Sequence, residues 1–374
     1  MIPRFLEQDI TKSLFKGKVI VLYGPRQTGK TTLVRQVLAN SQEKVLWLSG
    51  DEADVRATLS DTNRTTLAGL FGNAKIVVID EAQRISNIGL TLKIAVDFFP
   101  HVQVIATGSS SFELANQIHE PLTGRKKQFT LYPISYGEMV NYDSAFEEKR
   151  RLEQRLIFGS YPEIITHPGE EKELLRELSQ SYLYKDILSF DHLRKPMVLD
   201  KLLQALALQL GSEVKNSEIA RFLGIDNETV ERYIDLLEKA FVIFRLPSLN
   251  RNMRSEIKKG KKVYFYDLGM RNSIINNFNP LELRNDVGGL WENWLILERR
   301  KALEYSGRWV KSYFWRTISQ QEIDYIEDSE GRFEAWEFTW NNPHKKSIPR
   351  SFIEAYPGTI THLVHKNSFE PFLH

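Results

Sequence analysis

Cysteine is absent from the 374 residues, which excludes disulfide bonds and thiolate zinc sites and fits a reducing compartment. Long apolar runs are missing as well. Stretches such as residues 76–79 are far too short to span a bilayer, and the N-terminus lacks the basic-then-apolar order of a secretion signal. A cytoplasmic protein with no membrane partner is therefore expected. No low-complexity tract and no convincing internal repeat is present, which argues against a disordered or solenoid chain. An excess of either charge is also lacking: 50 basic residues nearly cancel 48 acidic ones, so the formal net charge of +2 selects no partner. What remains is an ordinary globular composition, 42% hydrophobic and 26% charged, able to bury a large interior. A chain of 374 residues divides such an interior into roughly two to four domains.

The most informative stretch is KVIVLYGPRQTGKTT, residues 18–32. A β-branched run over residues 19–23 predicts a strand ending in Gly24. Pro25, Arg26, Gln27 and Thr28 intervene, and Gly29, Lys30, Thr31 and Thr32 open a segment of helical periodicity. Strand, glycine loop and helix in this order read as a P-loop. The glycines let the backbone fold round an anion, and the amides at the helix start point at the β-phosphate. Lys30 is then expected to meet the β and γ oxygens of ATP, and Thr31 to hold Mg²⁺ through its hydroxyl.

Downstream, residues 45–48 predict a second strand and a polar helical stretch runs to about Gly69. Residues 75–79 form a continuous apolar run closed by Asp80 and Glu81, the pattern of a strand buried on both faces. Asp80 is expected to reach Mg²⁺ through water and Glu81 to polarise the attacking water; the plainer alternative is that both acids cap a helix. A further strand, 102–106, runs into Thr107, Gly108, Ser109 and Ser110. Either Thr107 or Ser109 senses the γ-phosphate, or the segment is an N-cap for a helix starting near Phe112. Arg125 precedes a fifth strand, 128–131. It is either an arginine finger presented to a neighbouring subunit or a surface residue of the trio Arg125, Lys126 and Lys127.

The order GPRQTGKTT, VVIDEAQ, TGSSS, LTGR and LYPISYGE resembles the AAA+ ATPases close to the signal-transducing STAND branch. That resemblance implies a five-stranded parallel core in which an added strand separates the strand before the phosphate loop from the strand ending in the acids. It also implies a helical lid whose glycine-x-proline motif packs on adenine. Pro162, in Gly159-Ser160-Tyr161-Pro162, is the matching residue, the alternative being an ordinary helix-start proline.

Helical, amphipathic segments at 174–188 and 197–210 follow. Asn216 and Ser217 are expected to cap a short helix, 218–223, which turns at Gly224 into a second helix, 226–240, and then a strand, 242–246. This is helix-turn-helix spacing and resembles a winged helix, a module that binds either DNA or protein. Thr229, Glu231 and Arg232 would stand at the start of its recognition helix. Arg245, Arg251, Arg254, Lys258, Lys259, Lys261 and Lys262 face Glu256 alone in sequence, a basic run suited to a phosphate backbone. Beyond it, Glu292, Asp324 and Glu337 among alternating strands and helices resemble the PD-(D/E)xK nuclease fold. Thr339 stands where that family places a lysine, with Lys345 and Lys346 in the following loop as possible substitutes; alternatively Asp324 and Glu337 face solvent from edge strands.

The expected fold is α/β. Its parts are a P-loop ATPase core over 1–140, a helical lid or linker over 141–210, a winged helix over 211–250, and a nuclease-like domain without activity of its own over 251–374. The expected function is Mg²⁺-dependent ATP hydrolysis driving a conformational switch on DNA. Alternatives are a switch that binds a protein partner, and an ATP-gated nuclease; homo-oligomerisation is compatible with all three.

Overall fold

The computed structural model describes residues 2–109, 122–182, 196–250, 260–341 and 347–374. They divide into two compact units, the first built on Met1–Ile134 and the second on most of the chain from Ser135 to His374. Ser110, the expected helix near Phe112, four members of the basic run (Arg251, Arg254, Lys258 and Lys259), and Lys345 and Lys346 all lie outside the described residues.

Five strands organise the first unit: β1 (Val19–Tyr23), β2 (Val45–Ser49), β3 (Ile76–Asp80), β4 (Gln103–Gly108) and β5 (Lys126–Thr130). All neighbouring pairs are parallel, in the order β2-β3-β4-β1-β5. β4 thus separates β1 from β3, as the resemblance implies. The runs VIVLY and IVVI are buried throughout because helices cover both faces, which is why these strands show no polar alternation. The covering helices are α1 (Leu6–Ser13), α2 (Lys30–Leu38), α3 (Ala53–Leu59), α4 (Arg64–Phe71) and α5 (Ile88–Phe98). The stretch expected as one polar helix is two, α3 and α4. The Asn63 side chain accepts from the Thr66 amide at 3.0 Å, and that cap starts the second helix afresh.

The second unit begins with helices α6 (Tyr136–Tyr142), α7 (Ala145–Arg150), α8 (Leu152–Phe158), α9 (Pro162–Thr166), α10 (Glu171–Tyr182) and α11 (Pro196–Leu208). Ser135 and Glu138 close a reciprocal capping box at the start of α6. Next come α12 (Asn216–Leu223) and α13 (Asn227–Lys239), joined at Gly224, whose φ of +68° suits glycine. They accompany an antiparallel sheet of β6 (Glu213–Val214), β7 (Ile243–Pro247) and β8 (Lys261–Phe265), ordered β6-β8-β7. The expected cap at Asn216 is not made. Asn216 is already helical and its amide instead donates to Glu231 at 2.5 Å.

After α14 (Leu268–Ile274), the long helix α15 (Val287–Tyr305) packs on a four-stranded mixed sheet of β9 (Lys311–Arg316), β10 (Glu322–Ser329), β11 (Arg332–Thr339) and β12 (Ile360–His365). β9, β10 and β11 pair antiparallel, and β12 joins β11 in parallel. β10 and β11 are inner strands, so Asp324 and Glu337 are buried at 3% and 4% exposure. The reading of these two acids as solvent-facing edge residues is therefore wrong. Among the described residues no helix is long and apolar enough to cross a membrane.

Candidate active site

β1 ends at Gly24, which has φ of +146° and sits against the next strand's backbone: a Cβ there would lie 2.1 Å from the Leu131 carbonyl oxygen. Only glycine lets the loop turn at this point. Gln27 and Gly29 also have positive φ, at 57° and 90°, and the chain enters α2 at Lys30 with no side chain capping the first turn. Its first-turn amides are left for an anion. Thr28 donates to the Pro25 carbonyl at 2.9 Å, and the buried Lys30 ammonium donates to the carbonyls of Gly24 and Pro25 at 2.9 and 2.7 Å. Arg26 is half-buried, while Gln27 and Thr32 are exposed. Arg4 braces the loop from outside, donating to the Thr28 carbonyl at 2.8 Å and the Tyr132 carbonyl at 2.6 Å.

Side chains from β3 and β4 meet the loop at the C-terminal ends of the strands. The Thr31 hydroxyl donates to Asp80 Oδ2 at 2.8 Å, and Thr107 donates to Asp80 Oδ1. Glu81 follows with a left-handed backbone, φ 49°, and the chain then makes a tight turn at Ala82–Arg84. Inside that turn Gln83 Nε2 donates to Glu81 Oε2 at 2.5 Å and to Ser109 Oγ at 3.0 Å. Thr107 and Ser109 are thus distinguished: the first holds Asp80, and the second is tied to Glu81 through Gln83. Sequence reasoning left out Gln83, and it placed Ile2, Pro3 and Arg4 where P-loop ATPases touch adenine rather than reading Arg4 as a brace. The sequence marks Gln83 only as an amide two residues beyond the second acid; its burial comes from the fold.

The residues fit a magnesium nucleotide. A hydroxyl and a carboxylate in contact are hard oxygen donors suited to Mg²⁺, and the Gly24 cradle has room for nothing larger than hydrogen on its inner side. Arg125 is not brought to this cluster. It precedes β5, whose Lys126 is in register with Val19, so it stands at the opposite end of the sheet from the phosphate loop. The length of β1 separates them, about 15 Å at ~3.3 Å per residue. There its Nε donates to Asp97 at 2.7 Å. Pro162 belongs to the second unit, at the first turn of α9.

In the second unit a different cluster forms. Lys262 of β8, 1% exposed, donates to Glu292 of α15 at 2.8 Å and pairs with Glu322 of β10 at 2.5 Å; Tyr264 also donates to Glu292 at 2.5 Å. Burial opposes the ammonium charge, but Glu292, Asp324 and Glu322 outweigh it and hold the Lys262 pKa above its ordinary value. Burial likewise pushes the Glu292 carboxyl up, with Lys262 working against the rise and Asp324 adding to it. Asp324 also accepts from the Phe338 amide at 2.8 Å. Among the described residues no group of three or more His, Asp or Glu is placed to hold a metal ion.

The basic run needs correction as well. Arg245 is not a free cation: Glu231, Asp235 and Glu238 of α13 surround it at 2.8, 2.6 and 2.5 Å. Lys261 pairs with Glu231 at 3.2 Å, and Lys262 is the buried ammonium just described. Thr229 is engaged with Asp226 at the start of α13, and Arg232 lies over the Tyr233 ring.

A parallel sheet carrying a glycine loop, a loop lysine and a hydroxyl–carboxylate pair at its C-terminal edge supports a nucleotide-hydrolysing core of the P-loop class. Residues 16–140 match the AAA domain family, and two domains of unknown function match residues 149–281 (DUF8612) and 287–369 (DUF4143). The uncharacterized protein Rv2008c of Mycobacterium tuberculosis is 27% identical over 351 residues, 92% of this chain and 75% of that one. An uncharacterized protein of Haemophilus influenzae is 23% identical over 185 residues, 47% of this chain and 46% of its own length. Among solved structures, the Thermotoga maritima RuvB Holliday junction branch migration motor aligns at 19% identity over 69% of this chain and 95% of that chain, with a TM-score of 0.30.

Proposed function

We propose that the chain hydrolyses ATP at the Gly24–Thr32 loop and uses the nucleotide state as a conformational switch. The observation that carries this reading is the Thr31–Asp80 hydrogen bond beside a loop whose lysine is held on the Gly24 and Pro25 carbonyls. Thr31 and Asp80 would hold Mg²⁺, which when bound offsets charge on the β and γ oxygens. Lys30 exchanges its carbonyl partners for phosphate oxygens, and Glu81 polarises the attacking water. Arg125, remote from its own loop, acts only if a second copy of the chain presents it, and Pro162 packs on the adenine.

For the target of the switch, DNA contacted through the α12–α13 helix pair and the basic run is one reading. The caging of Arg245 and the burial of Lys262 favour the second, a protein partner, because both cations are engaged internally. Two measurements test the proposal. Lys30→Ala should nearly abolish ATP binding, whereas Glu81→Gln should bind normally and not turn over; equal loss of affinity in both refutes the assignment. Retention on DNA that falls steeply with salt supports the DNA target, and none at low salt leaves the protein partner.

A further inference from the structure

Gln83 is 7% exposed, and its Nε2 is fully engaged with Glu81 and Ser109. Its Oε1 is buried and accepts no hydrogen bond among the described residues. Buried amide oxygens are normally satisfied, so one left open beside a candidate general base points to a donor that arrives with the substrate. The orientation of the amide is not arbitrary. Reversing it would set the oxygen 2.5 Å from a Glu81 carboxylate oxygen, acceptor against acceptor.

We infer that Gln83 is a further catalytic residue of the ATPase proposed above, its Oε1 accepting a hydrogen bond from the attacking water while Glu81 accepts the other. In-line attack needs the water's lone pair aimed at phosphorus, and two acceptors on neighbouring side chains fix both of its hydrogens away from that direction. The water oxygen then bonds to the γ-phosphorus as the bond to the β,γ-bridging oxygen breaks. The electron pair leaves on ADP, and one water proton passes to the Glu81 carboxylate. Gln83 takes no proton; it orients. Ser109, at the end of the neighbouring strand, holds the amide in place and acts as a positioning residue.

The experiment uses the full chain with Gln83→Leu, which keeps the side-chain bulk, and Gln83→Met, which keeps the unbranched shape; neither supplies an acceptor like the amide oxygen. It measures ATP turnover and affinity for a non-hydrolysable ATP analogue. Turnover of Gln83→Leu should fall about a hundredfold, the low end for a group that positions proton transfer, with analogue affinity unchanged within about twofold. Gln83→Met should show the same split between turnover and affinity, whereas loss of a purely structural amide would lower the two together. Undiminished or faster turnover in Gln83→Leu overturns the inference, as does a loss of affinity that matches the loss of turnover. If Gln83→Leu does not fold, undiminished turnover in Gln83→Met overturns it. A wild-type chain that binds but never hydrolyses ATP overturns the ATPase reading itself, and this inference with it.

Discussion

Replacing Lys262 by methionine removes the cation shared by Glu292 and Glu322, while keeping a side chain of similar length; Glu322 retains Arg316 at 3.8 Å. The lysine side chain is 1% exposed, and its two partners are 14% and 30% exposed, so solvent offers them limited relief. Breaking a buried ion pair by deleting one member typically costs about 3–5 kcal/mol; with Glu322 partly solvated the lower end applies, about 3 kcal/mol at pH 8. For a unit of this size that corresponds to a fall in Tm of roughly 6–12 °C. The deficit should depend on pH. Burial already raises the Glu292 carboxyl above its ordinary value, and Lys262 restrains that rise, so the variant's carboxyl climbs further. Above its raised pKa the variant carries an uncompensated carboxylate; as pH falls through it, the group takes up a proton and the penalty fades. The variant should thus be most destabilised near pH 8 and recover part of the loss near pH 5.5. Tryptophan fluorescence reads this out selectively, because six of the seven tryptophans lie beyond residue 290. A deficit below about 1 kcal/mol, or one equal at both pH values, would refute the reasoning.

Gly24→Ala should cost about 2 kcal/mol in the first unit and lower ATP affinity at least tenfold, since the new Cβ meets the Leu131 carbonyl and φ is unfavourable; unchanged melting and binding would count against the cradle. Arg125→Ala should lower turnover while sparing affinity, and mixing it with Glu81→Gln should restore part of the activity through composite interfaces. A monomer hydrolysing ATP at full rate without Arg125 excludes the finger. Supercoiled and linear DNA should survive incubation with the protein in Mg²⁺ or Mn²⁺, with or without ATP, because Thr339 carries no charge where the nucleases that the segment resembles place a lysine, and such a loss costs about a hundred- to a thousandfold. Cleavage that disappears in Asp324→Ala would restore the gated nuclease.

The parallel sheet was legible because burial on both faces writes itself as uninterrupted apolar runs, and residues 19–23 and 76–79 are such runs. Thr31 and Asp80 were legible as two residues of one site for a different reason, the order of strand, glycine loop and acid-ended strand, but their direct hydrogen bond was not read from the sequence. Strand β12 was not legible: its residues are mostly exposed and show no alternation, so nothing in the run announces its place beside β11, where His362 stacks on Trp336. The partners of Lys262 and Arg245 were equally hidden. A lysine beside other lysines reads as surface charge, and only the fold brings β8, α15 and β10 together around it. Gln83 escaped notice because its role arises from the left-handed backbone at Glu81, which composition does not announce.

The closure of the phosphate loop also bears on when the chain can first bind nucleotide during folding. The Tyr23 carbonyl is held by the Leu131 amide at 2.7 Å, Gly24 packs on the Leu131 carbonyl, and the Arg4 clamp ends on Tyr132, 128 positions away. A loop formed by nine consecutive residues, Gly24–Thr32, is thus completed only by contacts more than a hundred residues downstream, contacts that carry a closure entropy and form late. On the ribosome, a nascent chain with all of the glycine-loop sequence exposed but residues 126–132 still in the exit tunnel has neither the fifth strand nor the anchor for Arg4. Affinity for ATP should appear abruptly once that segment emerges, so the loop with the plainest sequence signature is among the last parts of its unit to take shape.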